Sequence, residues 1–137
     1  ELAPLMGELI SQAQNDIRFM AFSFTHEDVG EPMMERAEAG VNVQGVFETT
    51  GSETEYSYYG VMNEAGMANL QVRQDGNPRI MHHKVIIIDG QTTIFGSFNF
   101  SGSANDSNDE NVLIVHDPTF ASYFLEEFNT VWNEAKP

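Results

Sequence analysis

The sequence contains no cysteine among its 137 residues. Disulfide bonds and thiolate metal sites are therefore excluded, and cysteine usage gives no information about the redox compartment. No apolar run approaches the ~18 residues that a membrane-spanning helix needs, so stable membrane insertion is not expected. The hydrophobic fraction of 41% and the length instead predict one globular domain, covering residues 1–137, with a substantial core.

Basic residues are also scarce. Six Lys and Arg residues stand against 21 Asp and Glu residues, which gives a net charge of −15. Affinity for nucleic acid grows with the number of phosphates that basic side chains neutralise, so a broad duplex-binding face is excluded. Arg73, Arg79 and Lys84 fall close together in the sequence. They predict at most a small positively charged patch, located on or just before the strand that begins near Lys84.

The most informative segment is residues 81–111, MHHKVIIIDGQTTIFGSFNFSGSANDSNDEN. It contains the pattern H-x-K-x4-D-x6-G-S-x-N, followed by N-x-E. The residues that fill the pattern are His82, Lys84, Asp89, Gly96, Ser97, Asn99, Asn108 and Glu110. A lone H-x-K triplet would carry little weight, but all of these positions in register make chance a poor explanation.

The spacing of the pattern predicts a polar pocket. Side chains alternate along a strand, so His82 and Lys84 share one face and Asp89 points to the other. Ser97 and Asn99 share a face of the next strand in the same way. If a tight turn at Asp89 and the following glycine joins the two strands as a hairpin, both pairs can converge.

Such a pocket suits attack on a phosphodiester. An imidazole would serve as nucleophile, and the Lys84 ammonium with neighbouring hydroxyl and carboxamide donors would stabilise charge on the phosphoryl oxygens. Glu110 could accept the second imidazole N–H of His82 and so fix its tautomer. This set of groups requires no metal ion and no cofactor.

The segment resembles the HKD motif of the phospholipase D superfamily, in the form followed by GSxN and N-x-E. Residues 17–25 and 41–47 also resemble the first two core strands of that family, so the resemblance covers nearly the whole chain. It implies that His82 forms a covalent phosphohistidine and that Glu110 orients its ring. Lys84, Ser97 and Asn99 would then hold the phosphate.

The resemblance assigns the remaining motif positions, Asp89, Gly96 and Asn108, to structure rather than chemistry. It also implies a second motif, because the general acid of this family is the histidine of another half or subunit. This chain carries one motif only, and His26, His83 and His116 lie in no such frame. The chain opens with Glu-Leu-Ala and shows no signal peptide, which favours the carboxy-terminal half of a longer two-motif protein. A one-motif homodimer is the close alternative.

The functional expectation is a phosphoric diester hydrolase or transphosphatidylase of the phospholipase D type, acting on phospholipid or nucleic acid. One alternative is a nuclease that uses the same site, and another is a non-catalytic interaction module that keeps the fold. The sequence does not predict the cellular compartment. A soluble, bacterial protein is expected, and secretion of the full-length form is compatible with the sequence.

Alternating periodicities predict an α/β sandwich, with a mixed, mostly parallel sheet and helices on both faces. Predicted helices cover residues 4–15, 27–39, 56–64 and 118–134, and predicted strands cover residues 17–24, 42–47, 70–74, 85–88, 92–95 and 112–115. Glu48 follows the second strand, at a position where α/β sheets collect site residues, so it is a further candidate for the pocket wall.

Overall fold

The elements alternate between helix and strand along the chain. The computed structural model describes residues 2–21, 27–48, 57–75, 84–96 and 112–135. In chain order the elements of these segments are α1 (Leu2–Ser11), β1 (Asp16–Ala21), α2 (Glu27–Glu38), β2 (Asn42–Glu48), α3 (Tyr58–Asn63), β3 (Leu70–Asp75), β4 (Val85–Ile88), β5 (Thr92–Gly96), β6 (Val112–His116) and α4 (Pro118–Glu134).

The six strands form one sheet in the order β3-β2-β1-β4-β5-β6. The β1–β2 and β2–β3 pairs are parallel, whereas β4 is antiparallel to both β1 and β5, and β5 is antiparallel to β6. Four strands, β1, β2, β3 and β5, therefore run in the same direction. The expected mixed sheet is confirmed, although its antiparallel half contributes three of the five pairings.

Helices cover both faces of this sheet, as expected. On one face, α1, α2 and α3 bury Met6, Met33 and Met62 against strand residues that include Phe19 and Ile86. On the other face, the long helix α4 packs against the alternate strand residues. Its side of the core consists of Met20, Val46, Val85, Ile87, Ala121, Phe128, Val131 and Ala135. Strand β4, with its Val-Ile-Ile-Ile sequence, is buried throughout because its side chains pack alternately into the two core layers.

Local signals account for most of the boundaries. The Asp117 side chain accepts the Thr119 N–H at 3.0 Å and Pro118 opens the helix, so α4 begins and ends where the sequence predicts. Helix α2 ends before Gly40, whose φ of 103° suits glycine. The exception is α1, which ends at Ser11 although its periodicity predicts a helix to residue 15. The Asp89 carboxylate accepts the backbone N–H groups of Gln14 and Asn15, and this long-range contact ends the helix early.

Candidate active site

One edge of the sheet collects the carboxyl ends of the three parallel strands. Because β4 runs antiparallel to β1, the start of β4 reaches the same edge, and the end of β5 follows it. We call this the Lys84 edge. Its residues are Ala21, Glu48, Asp75, Lys84 and Gly96. Open α/β sheets bind ligands at such carboxyl edges, so this is where the fold favours a site.

Lys84 lies immediately before β4 and is half-buried. The Gly96 N–H donates to the Lys84 carbonyl oxygen at 3.3 Å, which extends the β4–β5 ladder by one pair. Gly96 itself has a φ of 153°, a backbone conformation that glycine tolerates best. Within the described segments, no carboxylate forms an ion pair with the Lys84 ammonium.

Two buried carboxylates lie on the same edge. Glu48 ends β2 and is 8% exposed, and Asp75 ends β3 and is 5% exposed. The two residues are partners in the parallel β2–β3 register. Glu48 is thus located where the sequence analysis suggested. Asp75 was not predicted, although it carries the same signal, an acidic residue at the end of a strand.

Asp89 lies at the other end of β4. It follows Lys84 by five positions, which corresponds to about 16 Å along an extended strand. Its carboxylate accepts three consecutive backbone N–H groups, from Gln14 at 3.0 Å, Asn15 at 2.7 Å and Asp16 at 3.1 Å. Its own N–H donates to the Asp16 carbonyl at 2.8 Å. Asp89 therefore ties the β4–β5 turn to the loop before β1.

The predicted hairpin is present, but the predicted reason for the separation of Asp89 is wrong. Asp89 and Gly90 occupy the turn, with φ values of 56° and 65°. Positive φ at both positions suits a tight hairpin turn. Asp89 is thus outside the strand, where alternation of faces no longer applies. Distance along β4, rather than the opposite face of the sheet, separates it from Lys84.

Arg73 does not contribute to a positively charged patch near Lys84. It lies on β3, three strands away from β4 in the sheet. Its guanidinium stacks 4.0 Å above the Trp132 ring, and Nη1 donates to the Trp132 carbonyl at 2.7 Å. Closeness in sequence was misleading here, because the crossover from β3 to β4 spans the width of three strands. Arg79 lies outside the described residues.

Five of the predicted site residues also lie outside the described residues. They are His82, Ser97, Asn99, Asn108 and Glu110. Of the predicted set, the structure therefore brings Lys84 and Gly96 together and separates both from Asp89. A polar cavity of about 330 Å³ lies at the Asp89 end and includes Gln14, Asn15, Gln91 and His116 in its lining. It is remote from Lys84, so it is not part of the candidate site.

Comparison with known proteins agrees with this geometry. The family described as "Cardiolipin synthase, PLD-like domain" matches residues 6–132. The chain belongs to the phospholipase D superfamily. The crystal structure of Nuc from Salmonella typhimurium, a phospholipase D family member, is 34% identical and superposes with a TM-score of 0.86, over 96% of this chain and 87% of Nuc. The family to which the chain belongs is thus one of phospholipase D-like phosphodiesterases.

Two curated relatives extend the comparison. Human mitochondrial cardiolipin hydrolase is 33% identical over 136 residues, which cover 99% of this chain and 52% of that protein. A phospholipase D from Rickettsia bellii is 28% identical, over 90% of this chain and 60% of that protein. The chain therefore spans little more than half the length of these relatives. Among the described residues, no helix combines the length and apolar character needed to cross a bilayer.

Proposed function

We propose that the protein is a phosphodiesterase of the phospholipase D type that works through a covalent phosphohistidine. The observation that carries the proposal is the position of Lys84. It begins a strand that reaches the carboxyl edge of the sheet, beside Gly96 of the same motif. Membership of the superfamily supports the chemistry, and the motif supplies the residues.

In the first step, an imidazole nitrogen of His82 bonds to phosphorus and the bond between phosphorus and the leaving oxygen breaks. The leaving alcohol takes a proton from the histidine of a second motif. Lys84, Ser97 and Asn99 stabilise the charge on the equatorial oxygens as the transition state develops. Water, or an acceptor alcohol in transfer, then gives a proton to the histidine of the second motif and bonds to phosphorus, and the bond between phosphorus and His82 breaks. Glu110 holds the His82 ring in the reactive tautomer.

The second motif comes from a second copy of the chain or from another half of a longer protein. Asp89, Gly96 and Asn108 serve the structure of the motif. For Asp89, its three backbone hydrogen bonds at the far end of β4 support this role. Since the proposed groups need no metal, turnover should survive excess chelator. The same site would cleave lipid or nucleic-acid diesters, and loops and the second half would select between them.

The decisive experiment is rapid-quench labelling with a radioactive phosphodiester in the complete, active protein. We expect a phosphoprotein that is labile in acid and stable in base, absent from His82→Asn. His116→Asn provides the matched control, because His116 is exposed at the opposite end of the sheet. An active protein that forms no acid-labile intermediate would rule out the mechanism. An absence of turnover on lipid, nucleic acid and simple diesters would favour the non-catalytic module.

A further inference from the structure

The arginines of the described segments are used within the fold. Arg18 donates through Nε to the Gln44 side chain at 3.1 Å and lies 3.3 Å from Asp16. Arg36 donates to the Ala13 carbonyl at 3.0 Å. Arg73 is held by the ring and the carbonyl oxygen of Trp132. Each would lose a fold contact if it turned to a ligand phosphate.

This leaves a small upper limit on the basic residues that can contact a substrate. The sequence has six, and three are held in the fold. Lys84 lies at the edge, and Arg79 and Lys136 lie outside the described residues. Even if all three met phosphates, one copy of the chain would supply fewer than the roughly 6–10 contacts of strong nucleic-acid binders.

The acidic side chains at this edge weaken the binding of phosphates, whereas basic side chains strengthen it. Glu48 and Asp75 lie on the same edge as Lys84, two and three strands away from β4. Two strand spacings correspond to about 10 Å. At that distance a single charge changes the binding of a phosphate by about twofold in water, and by more where the dielectric constant is lower. The whole chain adds a net charge of −15.

We propose that the Lys84 edge accepts a phosphodiester that carries one isolated negative charge. The same edge discriminates against polyanionic substrates. The inference rests on the proposed function and narrows its substrate class. One phosphate can be held by Lys84 and the neutral donors of the motif. Each further phosphate on the same substrate adds repulsion and finds few cations. Higher ionic strength screens that repulsion, so it should favour polyanionic substrates only.

The test compares cleavage of the same kind of phosphodiester bond in two substrates that differ in their number of negative charges. A dinucleoside monophosphate carries one phosphodiester, whereas a single-stranded oligonucleotide carries many identical ones. For the assembly that contains both motifs, we expect a higher kcat/KM per bond on the dinucleotide at low salt. We also expect oligonucleotide binding, followed by fluorescence anisotropy, to stay level or strengthen as salt rises. Oligonucleotide affinity that falls with rising salt would overturn the proposal.

Binding and turnover keep the two proposals distinguishable. If the assembly that contains both motifs cleaves neither of these substrates, nor lipid and simple diesters, the proposed function fails, whereas the salt dependence of binding still decides the charge inference. If both are cleaved and binding weakens with salt, the enzyme assignment stands and the charge inference fails. Each result therefore bears on one proposal independently of the other.

A pair of variants tests the role of the edge itself. Glu48→Gln removes one charge at the Lys84 edge, and Glu126→Gln removes one from the exposed surface of α4. The readout is the ratio of kcat/KM on oligonucleotide to kcat/KM on dinucleotide, because partial unfolding affects both substrates equally. We expect Glu48→Gln to raise the ratio about twofold or more and Glu126→Gln to leave it unchanged. An unchanged ratio in Glu48→Gln would refute the part assigned to the edge acids.

Discussion

The Asp89 carboxylate accepts the backbone N–H of Asn15 at 2.7 Å, across 74 residues of sequence. The same carboxylate also receives the N–H groups of Gln14 and Asp16. A single side chain therefore fixes the path between α1 and β1 and holds the β4–β5 turn beside it. This relationship explains why a residue of the HKD motif can lie far from the edge that carries Lys84.

Asp89→Ala should destabilise the fold by about 1–3 kcal/mol, because three N–H groups lose a charged acceptor and alanine disfavours positive φ. Asp89→Asn should cost less, since its side-chain oxygen still accepts and asparagine tolerates this backbone conformation. Urea unfolding of both variants measures the difference. Equal stability of Asp89→Ala and the wild type would contradict the structural role.

Lys84→Met should lower kcat/KM by about 10²–10³-fold, the usual loss when one group that stabilises transition-state charge is removed. The substitution keeps the length of the side chain, and the residue is half-buried at the start of β4. The midpoint of thermal unfolding should therefore change little. Steady-state kinetics alongside calorimetry separate the two effects. Full activity in Lys84→Met would remove Lys84 from the site.

Gly45→Ala should destabilise the protein by about 1–3 kcal/mol through overpacking. The Phe19 ring lies directly over Gly45 in the sheet, and an added Cβ would overlap the ring carbons. Gly60→Ala is the matched control, because a Cβ there meets no atom within 4 Å. Since Gly60 lies within α3, that change should stabilise by about 0.5–1 kcal/mol. Chemical unfolding should give opposite signs, and two equal losses would contradict the packing.

Alkaline pH should weaken the fold through Tyr58. Burial, and the hydrogen bond to Glu31 at 2.8 Å, raise the pKa of the Tyr58 phenol. Near pH 10 the unfolded chain loses this proton whereas the folded chain keeps it. Stability should therefore fall by about 1.4 kcal/mol per pH unit above that point. Tyr58→Phe should remove this contribution. Unfolding curves between pH 9 and pH 11 would refute the link if the two proteins showed identical slopes.

Arg73→Met should loosen the end of α4 and change the fluorescence of Trp132, the single tryptophan of the sequence. The substitution removes a stacked guanidinium and a hydrogen bond of 2.7 Å to the Trp132 carbonyl. A loss of about 1–2 kcal/mol is expected from the two contacts together. Arg73→Lys should restore only part of it, because an ammonium lacks the planar stacking surface. An unchanged emission spectrum in Arg73→Met would contradict the contact.

Local sequence signals predicted most of this fold. Helix α4 was predicted to the residue, because Asp117, Pro118 and its apolar periodicity act within one segment. The early end of α1 could not be predicted, since the carboxylate that binds the following loop is supplied by Asp89. The separation of Arg73 from Lys84 depends on strand order, which local spacing does not encode. For the site, the motif predicted the candidate residues, of which Lys84 and Gly96 lie together at one edge of the sheet, and the strand order adds Asp75 as a further candidate.

The antiparallel insertion of β4 also has a practical consequence. The β4–β5 turn and the Lys84 edge are opposite ends of one buried strand, so the turn can be altered without touching the chemistry. Gln91 is exposed in this turn, so substitutions there leave both the Asp89 hydrogen bonds and the Lys84 edge in place. The distal turn is thus the natural place for engineering, for labels or for attachment to a support.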